Sequence, residues 1–134
     1  MPLFGQEHVE RYRATGGEEG HDWQGTHTLI LTTTGRRSGE PRSTPLIYGR
    51  SGEDYVVVAS KGGADDPPAW YLNLEADPEA EIQVKADRFP VHSRVATADE
   101  KPALWTTMNA ERPAYDEYQQ KTEREIPVVV LSRA

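Results

Sequence analysis

Three apolar, β-branched segments joined by very short connections constrain this fold more than any other feature. Thr28–Thr34, Ser43–Tyr48 and Tyr55–Ser60 have the composition of strands, and the glycine-containing breaks Gly35–Pro41 and Ser51–Asp54 separate them. A crossover between parallel strands needs about a dozen residues, so neither break can hold one. The sequence therefore predicts an antiparallel meander and disfavours the alternating strand–helix order of dinucleotide-binding folds.

The other segments show further strand and helix patterns. Alternating polarity predicts strands at Ala80–Ala86 and Phe89–Val95, paired as a hairpin around Asp87. The apolar segment Pro127–Leu131 predicts a final, buried strand. Helices are predicted at Pro67–Ala76, at Ala98–Ala110 with Thr97 as N-cap, and at Pro113–Arg124. A short N-terminal helix, with Leu3, Phe4, Val9 and Tyr12 near one side, precedes a loop at Thr15–Gly25.

Together these elements predict an α+β protein built around a small antiparallel β-barrel of about six strands with peripheral helices. We expect a single domain over residues 1–134, in which residues 1–25 form the N-terminal helix and loop. Pro45 falls inside the second predicted strand, and since proline cannot donate to a sheet ladder, this strand is expected at an edge or at a bulge.

Charge and cysteine content exclude several classes of function. With 22 acidic against 15 basic residues, the net charge is −7, so no nucleic-acid partner is expected. The chain has no cysteine, which excludes disulfides and thiolate metal sites, and its four histidines lack metal-ligand spacing. No metal is therefore expected, and redox chemistry would need an organic cofactor. Without a membrane-length apolar run or a signal-peptide pattern, the protein is expected in the cytoplasm.

A basic turn between the first two strands is the strongest candidate for a ligand site. Arg36, Arg37 and Arg42 flank Ser38 in a glycine-containing turn, where guanidinium groups and backbone N–H groups together suit phosphate or carboxylate. Lys61 follows the third strand, which ends at the same end of a meander as this turn. A solvated hairpin turn remains an equally good interpretation of these residues alone.

An aromatic set forms the second candidate. Tyr115 and Tyr118 are three residues apart, so a helix presents both on one side, where two phenols could close over a flat ring. Packing of that helix onto the barrel explains the same spacing, and the residues alone favour packing.

Four segments, in this order, resemble the deazaflavin-dependent nitroreductase family of actinobacteria. They are Arg11–Trp23, Leu29–Leu46, Tyr55–Leu74 and Tyr115–Leu131. The resemblance implies a split β-barrel like the FMN-binding barrels. It also implies coenzyme F-420, an 8-hydroxy-5-deazaflavin with a phosphodiester and an oligoglutamate tail. Hydride transfer from the reduced cofactor to a quinone, nitro compound or enone is the implied activity.

The resemblance also implies roles for individual residues. The cofactor-binding set is Arg36, Arg37, Ser38, Arg42, Lys61 and Gly62 toward the anionic tail, with Pro45, Leu46, Val57, Val58, Ala59 and Trp70 beside the ring. Ser60, Tyr115 and Tyr118 are the candidates for stabilising charge on the acceptor. Ile47 and Arg112 stand where relatives that reduce bulky nitroimidazoles carry tyrosines.

Two other functions stay open on the sequence. The same barrel could bind FMN or haem, or it could bind F-420 or a lipophilic ligand without catalysis. A lipophilic quinone acceptor would favour peripheral contact with the inner face of a membrane. The sequence does not set the oligomeric state.

Overall fold

A computed structural model of the chain describes residues 5–23, 26–60, 67–112 and 114–134. The helices are α1 (Gly5–Thr15), α2 (Ala69–Ala76), α3 (Lys101–Glu111) and α4 (Ala114–Gln120). The strands are β1 (Asp22–Trp23), β2 (Thr26–Thr34), β3 (Pro41–Ile47), β4 (Gly49–Ser51), β5 (Asp54–Val58), β6 (Glu79–Val84), β7 (Asp87–Val95) and β8 (Val128–Arg133). No helix of the described residues is long and apolar enough to cross a membrane.

The sheet closes on itself through the segment formed by β3 and β4. All pairings are antiparallel, in the order β2-β6-β7-β8-β5-β4, and β3 pairs with the other edge of β2. Only Tyr48 separates β3 from β4, so one bent segment completes the barrel. The expected meander is confirmed, because this segment pairs first with β2 and then with β5.

Pro45 lies on the part of the bent segment that pairs only with β2. It is opposite Ile30, on a strand for which β2 is the one ladder partner among the described residues. The predicted edge position of this strand is therefore confirmed.

Apolar side chains fill the barrel and also cover part of its outer surface. The interior cluster includes Leu29, Leu31, Val57 and Val129, all essentially inaccessible to solvent. On the outside of β5 and β8, α3 and α4 pack over a second cluster. A third, smaller cluster joins Val9 and Tyr12 of α1 to Ile30, as the N-terminal helical pattern predicts. Leu3 and Phe4 lie outside the described residues.

Several predicted boundaries were wrong by a few residues for identifiable reasons. The β6–β7 turn is at Lys85 and Ala86, and Lys85 has a positive φ of 56°. α3 begins at Lys101 instead of Ala98, after a turn in which Thr97 and Glu100 exchange the hydrogen bonds of a capping box, so the predicted capping role of Thr97 is confirmed. α4 ends at Gln120 instead of Arg124, since the side chains of Gln119 and Thr122 form hydrogen bonds with the backbone of Arg124.

Tyr12 links α1 to two parts of the barrel. Its side chain is fully buried, and its hydroxyl donates to the Thr28 carbonyl oxygen at 3.0 Å and accepts from the Lys85 N–H at 2.7 Å. Burial raises the pKa of Tyr12 to about 12, so the phenol stays protonated at neutral pH.

Removal of this hydroxyl should destabilise the fold. Tyr12→Phe removes the hydroxyl that bonds the buried Thr28 carbonyl oxygen and the partly buried Lys85 N–H, and we expect a loss of about 1–3 kcal/mol in the free energy of unfolding. Tyr71→Phe is the matched control, because the hydroxyl of that half-buried tyrosine makes no hydrogen bond to a described residue. Chemical denaturation of both variants measures the difference. Equal stability of the two would contradict this role for Tyr12.

Candidate active site

The turn between β2 and β3 is a compact backbone loop that displays arginines. The Gly35 N–H donates to the Glu40 carbonyl oxygen at 2.8 Å, and the Gly39 N–H donates to the Gly35 carbonyl oxygen at 2.8 Å. A Cβ atom on Gly35 would lie 2.7 Å from Ser38 Oγ and 3.2 Å from the Glu40 carbonyl oxygen, so the loop leaves little room for a side chain there. The closed loop leaves the side chains of Arg36, Arg37 and Arg42 exposed.

Asn73 of α2 fixes one side of this turn, and sequence reasoning missed it. Its side-chain oxygen accepts from the Arg36 backbone N–H at 3.2 Å and from Arg36 Nη1 at 3.1 Å. Its Nδ2 donates to Thr33 Oγ1 at 3.0 Å. The amide is almost fully buried. A buried Asn among apolar helix residues signals a required hydrogen-bond partner, but it does not reveal which one.

A cleft of about 620 Å³ opens beside the turn. Its lining includes Arg36, Arg37, Ser38 and Arg42 from the turn and Trp70, Pro68 and Asn73 from α2 and the residue before it. Within the described part of the chain, none of the three arginines forms a salt bridge. Cations that converge on a cleft without carboxylate partners favour an anionic ligand.

The five residues predicted to wall the cofactor ring do not share one surface. Leu46, Val57 and Ala59 contact the interior cluster, whereas Val58 belongs to the outer cluster beneath α3 and α4. Pro45 is the neighbour of Leu46 on β3 and so faces the opposite side. Successive residues of a strand point to opposite faces, so these residues cannot all border the ring from one side, and their predicted place beside it stays a prediction.

The two tyrosines lie on the outer side of the barrel with their rings in contact. Tyr115 and Tyr118 have ring centroids 6.0 Å apart, in an edge-to-face arrangement. Burial raises the pKa of Tyr115, and its hydroxyl makes no hydrogen bond to a described residue. The Tyr118 hydroxyl accepts a 3.3 Å bond from Arg112 Nη2. Neither tyrosine lines the arginine cleft.

Ser60 follows β5 and is buried. Arg124 Nη2 donates a hydrogen bond to the Ser60 carbonyl oxygen at 2.9 Å, a contact that the sequence did not indicate. Lys61 and Gly62 lie outside the described residues, so their predicted place beside the turn stays a prediction.

Comparisons with known proteins identify the family of the chain. The sequence profile of a family described as F420H(2)-dependent quinone reductase matches residues 4–133. The chain belongs to this family. The expected family, enzyme class and deazaflavin cofactor are thereby confirmed.

Individual relatives agree with this family. A Mycobacterium tuberculosis protein named F420H(2)-dependent quinone reductase is 45% identical over 130 residues, which are 94% of this chain and 87% of the relative. A solved F420-H2 dependent reductase (FDR-A) is 36% identical, with a TM-score of 0.73 over 78% of this chain and 93% of the other.

A more distant structure supports the fold alone. HutZ, a haem storage protein from Vibrio cholerae, is 16% identical, with a TM-score of 0.61 over 98% of this chain and 92% of the other. The α+β barrel expected from the sequence is confirmed by this shared architecture.

The residues of the arginine cleft fit the family's cofactor. Coenzyme F-420 carries a phosphodiester and several carboxylates, and the cleft offers three guanidinium groups without carboxylate partners in the described part of the chain. Its volume of about 620 Å³ lies within the usual range for cofactor pockets.

Loss of the arginines should weaken cofactor binding. We expect Arg36→Ala and Arg42→Ala each to reduce the free energy of F-420 binding by about 1.5–3 kcal/mol, the usual value for charge-assisted hydrogen bonds. Binding to the unmodified protein should also weaken as salt is added. Arg88→Ala is the control, since Arg88 pairs with Glu81 on the β6–β7 hairpin. Fluorescence titration measures the F-420 affinity of the unmodified protein and of the three variants. Equal affinities would favour the interpretation of the turn as a solvated hairpin.

Proposed function

We propose that the protein transfers a hydride from reduced coenzyme F-420 to a quinone. Family membership and the arginine cleft support the cofactor, and the names of the family and of its mycobacterial relatives support the acceptor. When bound, the reduced deazaflavin supplies two electrons as a hydride. Small nitro compounds and enones are proposed as further acceptors, because they are also flat and electrophilic.

The side chains of the protein would bind, orient and stabilise charge. Arg36, Arg37 and Arg42 hold the anionic part of the cofactor, and Trp70 borders the same cleft. Productive transfer requires the donor carbon and the acceptor in near-attack geometry, so this binding mainly supplies orientation. Solvent can deliver the proton, and no side chain needs to act as an obligatory base.

Tyr118 is the best-placed donor for negative charge that develops on the acceptor. Its hydroxyl oxygen already accepts from the Arg112 guanidinium, which leaves the phenolic O–H free to donate elsewhere. A hydroxyl that receives a bond from a cation is also a stronger donor. Tyr115 contributes a second hydroxyl on the same helix, and Ser60 is the third candidate in our proposal.

Arg112 and Ile47 bear on the choice of acceptor. Relatives that reduce bulky nitroimidazoles carry tyrosines at these two positions. In this chain Arg112 instead places a cation beside Tyr118, and Ile47 packs against the outer cluster. We propose that these residues favour compact acceptors that become anionic on reduction, such as quinones, over bulky nitroimidazoles.

A titration followed by a turnover assay tests the proposed function. F-420 should bind more tightly than FMN, because the arginine cleft suits a tail with several negative charges. Menadione added to the complex with the reduced cofactor should then oxidise that cofactor. Tighter binding of FMN would favour a flavin-binding barrel, while tight F-420 binding without oxidation by any quinone would favour a non-catalytic carrier.

Removal of the phenolic hydroxyls should lower turnover and leave cofactor affinity unchanged. Tyr118→Phe keeps the ring packing and removes one preorganised donor, which can cost on the order of 3 kcal/mol in the transition state. We expect a lower kcat with menadione from this variant and from Tyr115→Phe, with the F-420 dissociation constant within about twofold of the unmodified protein.

Either of two results would contradict this placement of the tyrosines. Full activity of both variants would make the phenols packing residues. A large loss of F-420 affinity would mean that α4 lies over the cofactor instead of the acceptor.

A further inference from the structure

The segment between α4 and β8 crosses the end of β5 and contacts its backbone. Arg124 Nη2 donates to the carbonyl oxygens of Ser60 at 2.9 Å and Ala59 at 3.2 Å. The Ala59 N–H in turn donates to the Pro127 carbonyl oxygen at 3.0 Å. Since the last ladder pair is Val58 with Val128, Arg124 supplies these two carbonyl oxygens with a donor beyond the end of the ladder.

Gln119, near the end of α4, holds Arg124 in place from the other side. Its Nε2 donates to the Arg124 carbonyl oxygen at 2.8 Å, and its Oε1 accepts from the Ile126 N–H at 2.9 Å. Ile126 is fully buried in the outer cluster, which anchors the segment. One side chain therefore fixes the backbone on both sides of Glu125.

These contacts connect the elements that carry the candidate catalytic residues. α4 carries Tyr115 and Tyr118, and Ser60 lies two residues after the end of β5. The path from the helix to Ser60 runs through Gln119 and Arg124, and its last contact is charge-assisted. A shift of about 1 Å in a reacting constellation can cost about a hundredfold in rate.

We propose that Gln119 and Arg124 are positioning residues, which hold Ser60 and the two tyrosines in a fixed relation for hydride transfer. The inference rests on the proposed function. It predicts that loosening the segment lowers kcat by a larger factor than it raises the F-420 dissociation constant, because neither side chain lines the arginine cleft.

Gln119→Glu and Gln120→Glu form a matched pair for the test. Both changes add one negative charge to the same helix, but only Gln119→Glu removes the donor to Arg124 and places a carboxylate oxygen against its carbonyl oxygen. Gln120 is exposed. We expect Gln119→Glu to lower kcat with menadione about tenfold or more, with the F-420 dissociation constant within about twofold. Gln120→Glu should match the unmodified protein.

Arg124→Lys tests the guanidinium with the charge retained. A lysine donates from a single nitrogen and lacks the planar fork, so we expect an intermediate loss of kcat. Arg88→Lys, on the exposed pair with Glu81, is its control. Hydrogen exchange of residues 56–60 without cofactor should be faster in Gln119→Glu and Arg124→Lys than in the two controls.

The outcomes separate the inference from the proposed function. If the unmodified protein does not oxidise reduced F-420 with a quinone, the proposed function fails and this role fails with it. If it does, and Gln119→Glu and Arg124→Lys exchange faster yet keep the full kcat, the segment is only structural and the inference is overturned. Melting curves show at which temperatures each variant is folded. The turnover and exchange rates are then compared at a temperature at which all of the variants are folded.

Discussion

The antiparallel pairing of one bent segment, residues 41–51, determines the arrangement of the whole barrel. Its first part pairs with β2 and its second with β5, and Tyr48 occupies the bend. β2 and β5 therefore run in the same direction, and the chain leaves both toward the same end of the barrel. α2 packs there, with Asn73 bonded to the arginine turn. Without this closure, the arginine turn and Ser60 would belong to separate edges of an open sheet.

Much of the fold could be predicted because it depends on local composition. β-branched runs such as 55–58 are strands wherever they can be buried, and the short connections between the first strands allow only antiparallel order. Pro45 even identified an edge strand. The alternation of side chains along a strand also predicts that Val57 and Val58 point to opposite faces, and they belong to the interior and the outer cluster, respectively.

The polar contacts of the site could not be predicted in the same way. Asn73 bonds a residue 37 positions away, and Arg124 bonds carbonyl oxygens 64 and 65 positions away. Apolar periodicity reports which face is buried, but it carries no information on which distant donor meets which acceptor. The early end of α4 could not be predicted for the same reason. The Gln119 side chain bonds the Arg124 carbonyl oxygen and the Ile126 N–H, and apolar periodicity does not indicate these contacts. The arginines of the turn were found because their charge stands out in an acidic chain.

The contrast between that acidic chain and its arginine cleft has a kinetic consequence. With a net charge of −7, the protein repels an anion from most directions, while the three cations at one end of the barrel attract it there. An anionic cofactor should thus arrive with its charged tail first and its ring trailing. The electric field of the protein thus orients the cofactor before the two molecules touch. This orienting effect extends only over the Debye length of about 8 Å at physiological ionic strength.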